Sequence, residues 1–168
     1  MAAPAWLSPL LILDGCGGWD ALLEAAHQQY LNDFGYATPR FRGRPIMLRR
    51  TPVEKSKEAA FWHLISEGEK EEDRTPSISR CERLAWVRLM IESASDESRV
   101  RVWNAMRPTG RGPKQHWVIA LPDFSYVVIL RETGNGLLLL SAYPVERGHR
   151  RATFERQYLE WCRKNSGA

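Results

Sequence analysis

The chain has 168 residues, 43% of them hydrophobic, with 24 basic and 20 acidic side chains and a net charge of +4, enough to bury one core and suited to one domain with a modest extension. Cys16, Cys81 and Cys162 are far apart with no CxxC pair, which argues against a disulfide framework or structural zinc and points to a reducing, cytoplasmic setting. The apolar start at 5–13 lacks a basic flank and is too short and proline-interrupted to span a bilayer, so it reads as an extended arm or buried strand with no membrane partner.

Next along the chain, residues 19–32 predict a helix with Leu22, Leu23, Ala26, Tyr30 and Leu31 on one side. Residues 36–57 carry Arg40, Arg42, Arg44, Arg49, Arg50, Lys55 and Lys57 against Glu54 alone, a basic footprint suited to phosphates. Thr51-Pro52-Val53-Glu54 has the form of a capping box with proline at the first helical position, and Ala59, Ala60, Phe61, Leu64 and Ile65 continue at helical spacing to about 67. Glu67, Glu69, Glu71, Glu72 and Asp73 then read as a solvated acidic loop. A second capping box, Ser79-Arg80-Cys81-Glu82, starts a helix expected to end near 94.

Beyond Asp96 the period becomes two, and 100–103, 117–121, 126–130 and 137–143 read as four strands. Short breaks join them, ending with Gly134-Asn135-Gly136 as a tight hairpin. The stretch 99–122 is again basic, with Arg99, Arg101, Arg107, Arg111 and Lys114 and no acid. A closing helix over 151–164 is expected to bury Phe154, Tyr158, Leu159 and Trp161. The expected fold is α+β: N-terminal helices, a four-stranded antiparallel meander and a C-terminal helix. Helices would cover one sheet face and leave the other for a ligand. Residues 1–50 form an extension with one helix, and 51–168 form the α+β domain, as one compact unit.

No HxxxH, Asp-x-Asp, P-loop, GxGxxG or GxSxG occurs, so metal, nucleotide and serine-hydrolase chemistries recede. What remains suits cleavage of an RNA phosphodiester without metal, in which the 2′-hydroxyl attacks the adjacent phosphate. That reaction needs a base, an acid and fixed cations. His63 is a candidate base or acid, or else an ordinary helix histidine beside Trp62. Arg80 and Arg83 lie one turn apart at a helix start and can fork a phosphate, or pair with Glu82 or an acid of the preceding loop. Ser141 and Tyr143 are two apart on the last strand and so share a face; Tyr143 stacks on a base, donates a proton or packs against the closing helix. Lys114 could stabilise the transition state, and His116 could serve in place of His63. The tryptophans read mostly as core, Trp86, Trp103 and Trp161 above all, with base stacking as the other reading for Trp62 or Trp117.

Taken in order, Phe61-Trp62-His63-Leu64, Arg80-Cys81-Glu82-Arg83-Leu84-Ala85-Trp86, Tyr126-Val127-Val128-Ile129-Leu130 and Ser141-Ala142-Tyr143-Pro144 resemble the phage-associated branch of the barnase, EndoU, colicin and RelE superfamily of metal-independent RNases, over about residues 51–163. The resemblance implies helices followed by a four-stranded antiparallel sheet, a toxin-like role, and His63, Arg80, Lys114, Ser141 and Tyr143 meeting at the open sheet face. This chain departs from the pattern where Lys114 is followed by His116 and Trp117 instead of another basic residue, and residues 1–50 have no counterpart.

The resulting expectation is a metal-independent endoribonuclease with no cofactor. His63, Arg80, Lys114, Ser141 and Tyr143 would be catalytic, and Arg83, Arg99, Arg101, His116 and Arg131 would bind RNA. Its partners would be tRNA, mRNA or rRNA and a cognate antitoxin or immunity protein. The rival readings are a noncatalytic nucleic-acid-binding module and a phage or prophage protein that binds and inhibits a host protein.

Overall fold

The computed structural model describes residues 3–166. The N-terminal arm packs rather than waves: Leu7 is buried, the Leu11 amide donates to Glu82 O at 2.9 Å, and the Trp86 indole donates to Ser8 O at 2.9 Å. Helix α1 (Leu13–Cys16) stops at Gly17, whose φ of 87° turns the chain into α2 (Trp19–Tyr30). On α2, Leu22, Ala26 and Tyr30 recur every four residues, so they share the buried face. A π-turn, Leu31–Gly35, buries Phe34 beside them.

The basic segment that follows holds two strands the sequence did not reveal. β1 (Arg40–Phe41) and β2 (Arg44–Met47) form a hairpin about Arg42 and Gly43, both at positive φ, with Phe41 and Ile46 turned inward. The expected capping box at Thr51 does not start a helix. Val53–Glu54 (β3) pairs with Lys57–Glu58 (β4) around Lys55 and Ser56, at φ 49° and 63°, and α3 runs only over Ala59–Ile65. The helix survives where apolar side chains can be buried, and residues 53–56 are exposed. Glu58, just ahead of α3, accepts from Tyr30 Oη at 2.8 Å and pairs with Arg50 at 2.9 Å, which ties the N-terminal segment to this helix.

β5 (Ser66–Glu67) and β6 (Thr75–Pro76) pair across the acidic loop, which contains a short 3-10 turn, Glu71–Asp73. The second expected helix is broken in two at Arg83 (φ −105°, ψ 9°): α4 (Ile78–Glu82) and α5 (Leu84–Glu92). Ser79 makes no capping bond; its hydroxyl lies 3.0 Å from that of Ser77, the residue preceding α4.

β7 (Arg101–Arg107), β8 (Lys114–Ala120), β9 (Tyr126–Thr133) and β10 (Gly136–Pro144) form the expected antiparallel meander. The sheet is larger than expected, however: six strands in the order β1-β2-β10-β9-β8-β7, with β2 parallel to β10, so it is mixed. Residues before 51 also build the main core, where Leu7, Leu22, Tyr30, Phe34, Phe41 and Ile46 join Phe61, Ile91 and Val128.

Alternation along the strands divides the sheet into two buried faces. Val102, Ile119, Val128 and Ala142 meet α2 to α5, whereas Trp103, Val118 and Ile129 form a second cluster with Phe154 of α6 (Gly148–Asn165), against which Tyr158 packs. Full burial of such side chains stabilises by about 1.5–3 kcal/mol each. The second face is therefore not the free ligand surface that was expected, because α6 lies on it. The opening lies elsewhere. β2 pairs with β10 only at Leu137 and Leu138, leaving the rest of that edge to α3 and α4, and a bulge between Leu139 and Ser141 re-aims the strand there. Among the described residues, no helix is long and apolar enough to cross a membrane.

Candidate functional site

The last turn of α3 places His63 in a groove of about 610 Å³ beside the edge of β10, lined by Arg49, Lys55, Trp62, Glu71 and Arg74 among others. A smaller pocket joins Arg49 and His63 to Leu138, Leu139 and Leu140 of β10. Arg74 spans the groove floor, donating to His63 O at 3.1 Å and Ser66 O at 2.7 Å. Arg80 donates to the same Ser66 O at 2.5 Å and lies 5.1 Å over the Tyr143 ring. Two guanidinium groups therefore share one carbonyl oxygen. Gly68, at φ 142°, permits the loop to fold back, since a Cβ there would stand 3.0 Å from both Arg74 Cα and Asp73 O.

The charges here are unbalanced. Among the described residues, Arg44, Arg50, Arg83, Arg88 and Arg99 each have a carboxylate partner, whereas Arg49, Arg74 and Arg80 have none. Arg74 Nε is buried with no hydrogen-bond partner. Burial, and next the neighbouring Arg74, push the Arg80 pKa down, but a guanidinium keeps its charge, so the pair favours an incoming anion.

His63 Nε2 lies 3.1 Å from Glu71 Oε1. Burial is the main cause that pushes the imidazole below its ordinary 6.5; Arg74 and Arg49 push the same way, and Glu71 opposes them. The neutral form therefore dominates at pH 7 and can accept a proton. Glu71→Gln removes the opposing charge, so the His63 midpoint in an NMR titration is expected to move further toward acid. A shift toward base would refute this electrostatic assignment.

The structure distributes the expected site residues unevenly. His63, Arg80 and Tyr143 gather along the β10 edge, with Ser141 two residues before Tyr143 and half-buried. Lys114 does not join them: it opens β8 opposite Arg107, with β9 between it and β10. His116 is buried, its Nδ1 2.9 Å from Lys114 O, which reads as an internal histidine. Arg131 stands opposite His116 and Leu138. Arg83 donates to Ser79 O and lies over Trp86; Arg99 pairs with Asp96 and lies over Trp6; Arg101 donates to Glu97 O. These five do not form one surface. Trp62 Nε1 is held by Glu54 O at 2.9 Å.

Sequence reasoning passed over Arg74, Glu71 and the particular role of Arg49. The available signal was slight: Arg74 closes an acidic run, and only the fold shows that Arg50 is neutralised by Glu58 while Arg49 is not. Among the described residues, no group of three or more His, Cys, Asp and Glu side chains could hold a metal ion.

No protein-family model, curated protein or solved structure matches the chain.

Proposed function

We propose that the protein is a metal-independent endoribonuclease of toxin-like character whose centre is the His63 groove. The observation that carries this reading is that Arg49 and Arg74, without carboxylate partners, line one groove with His63, and that Arg80 shares the Ser66 carbonyl oxygen with Arg74. Arg74 and Arg80 hold the scissile phosphate and stabilise the charge that builds on it, a contribution of about 10²–10³ in rate for one well-aimed donor. His63 takes the proton of the 2′-hydroxyl, the 2′-oxygen bonds to phosphorus, and the 5′-oxygen leaves and is protonated from solvent. The products are a 2′,3′-cyclic phosphate and a 5′-hydroxyl. Tyr143, beneath the Arg80 guanidinium, fixes its plane, and Ser141 lies on the same edge to orient the nucleotide. Lys114 has no part in this reading. Cytoplasmic RNA is the substrate, and a cognate antitoxin or immunity protein would present acidic groups to the groove.

The test is incubation of the purified protein with tRNA, mRNA and rRNA in EDTA. Discrete cuts ending in 2′,3′-cyclic phosphate are expected, and intact RNA across all three overturns the proposal. The contact of His63 Nε2 with Glu71 favours a second reading, a noncatalytic RNA-binding module in which the same arginines hold phosphate and the imidazole is structural. That module would show salt-sensitive binding with no turnover.

A further inference from the structure

A second cavity, of about 580 Å³, opens past the other end of the β10 edge. Its walls include Leu10, Leu121 and Pro144, with Arg83 and Arg151 among its charged members. Arg151 anchors its Nε on Val145 O at 2.6 Å, and Arg83 anchors Nη1 on Ser79 O at 3.0 Å. A guanidinium has five N–H donors, so each arginine retains donors for a ligand. Arg83 pairs with Glu82 at 3.7 Å, and no ion pair involves Arg151 among the described residues. The cavity also holds two carboxylates, Glu146 and Asp123, the latter with its Oδ1 accepting from the Ser125 amide at 3.0 Å and hydroxyl at 2.5 Å. Apolar walls fit a nucleobase, and the free donors of Arg83 and Arg151 fit its phosphate.

Two chain elements run from one cavity toward the other. Arg80 and Arg83 sit three residues apart at the α4 to α5 break, and β10 leads from Leu139 and Leu140, at the small pocket beside His63, to Pro144 at the second cavity. At the rise of a strand, Leu139 to Val145 is about 20 Å, so one strand of several nucleotides is required to occupy both.

Resting on the function proposed above, we infer that this second cavity is a nucleotide subsite for the same RNA strand, distant from the scissile phosphate, and that the protein recognises extended single-stranded RNA. The probe is a 2′-O-methyl hexanucleotide, which lacks the attacking hydroxyl and so reports binding without turnover. Backbone amide shifts at Ser125 and Glu146, together with shifts at His63, are expected on titrating the wild-type protein. In fluorescence anisotropy, the R83A/R151A double variant is expected to weaken binding about tenfold and R83K/R151K to recover part of it. Shifts confined to His63, or an unchanged Kd in the double variant, overturn the subsite and leave the nuclease reading standing. Failure of the hexanucleotide to bind anywhere overturns both.

Discussion

Replacing His63 with alanine is expected to lower kcat for RNA cleavage by roughly 10²- to 10⁴-fold, the range that one positioned proton-transfer group supplies, while KM changes little. The separation follows from the geometry. Arg74 takes its place from the carbonyl oxygens of His63 and Ser66, and Arg80 from that of Ser66, so the imidazole can be removed without moving either guanidinium. The phosphate would still bind, but the 2′-hydroxyl would lose its base. Because burial, with help from Arg74 and Arg49, holds His63 below 6.5, wild-type kcat/KM is expected to rise with pH through that lowered value and then level. The variant is expected to lack this limb. A profile for H63A that keeps the same acid limb would assign the titrating base to another group.

The same shift has a sign for stability. The unfolded chain binds a proton on this histidine at a higher pH than the folded one does, so acidification from about 6.5 downward through the folded value favours unfolding. His27, also lowered chiefly by burial, adds to the effect. A substitution at Arg74 would be harder to interpret, since it leaves the His63 and Ser66 carbonyls without a shared donor.

Much of the fold was legible where local pattern and burial agree. The i, i+4 spacing of Leu22, Ala26 and Tyr30 became the buried face of α2, and the alternation in β8, β9 and β10 became two faces of one sheet. Thr51 to Glu54 carried a real helix-start pattern, but a hairpin with left-handed Lys55 and Ser56 won because nothing there could be buried. β2 was illegible for another reason: Ile46 finds its partner at Leu137, and no local pattern announces a parallel pairing across that separation. In α6, Phe154 is buried as expected, but Leu159 is 57% exposed; the helix follows the sheet surface rather than its full apolar list. The site shows the same division. His63, Arg80 and Tyr143 could be chosen by residue chemistry, whereas Arg49 and Arg74 are distinguished only by the fold, which sets them in the same groove as His63 without carboxylate partners.

Gly136→Ala is expected to destabilise the protein by about 2–4 kcal/mol, the scale of a strained backbone plus lost packing. Gly136 begins β10 at φ 158°, and a Cβ built there collides with the carbonyl oxygen of Pro45 and stands 3.1 Å from Pro45 Cγ. Pro45 belongs to β2, and neither the oxygen nor the ring can rotate away, so the strands must separate where Ile46 and Leu137 face each other in the core. At roughly 2–4 °C per kcal/mol for a chain of this size, the midpoint of thermal unfolding would fall by about 5–15 °C. Gly134→Ala is the matched control: its Cβ meets nothing within 4 Å and it lies outside the positive-φ set, so its midpoint is expected to stay within about 2 °C. Equal midpoints for the two variants would sink the account of the β2 to β10 contact. The substitution also reaches the groove, because Arg49 follows two residues after β2, its carbonyl accepting from the Ala60 amide at 2.7 Å at the start of α3. Loosening β2 therefore displaces an arginine of the groove and the helix that carries His63. Cleavage by Gly136→Ala is then expected to weaken even at temperatures where the variant remains folded, which connects the N-terminal strands to the chemistry rather than to stability alone.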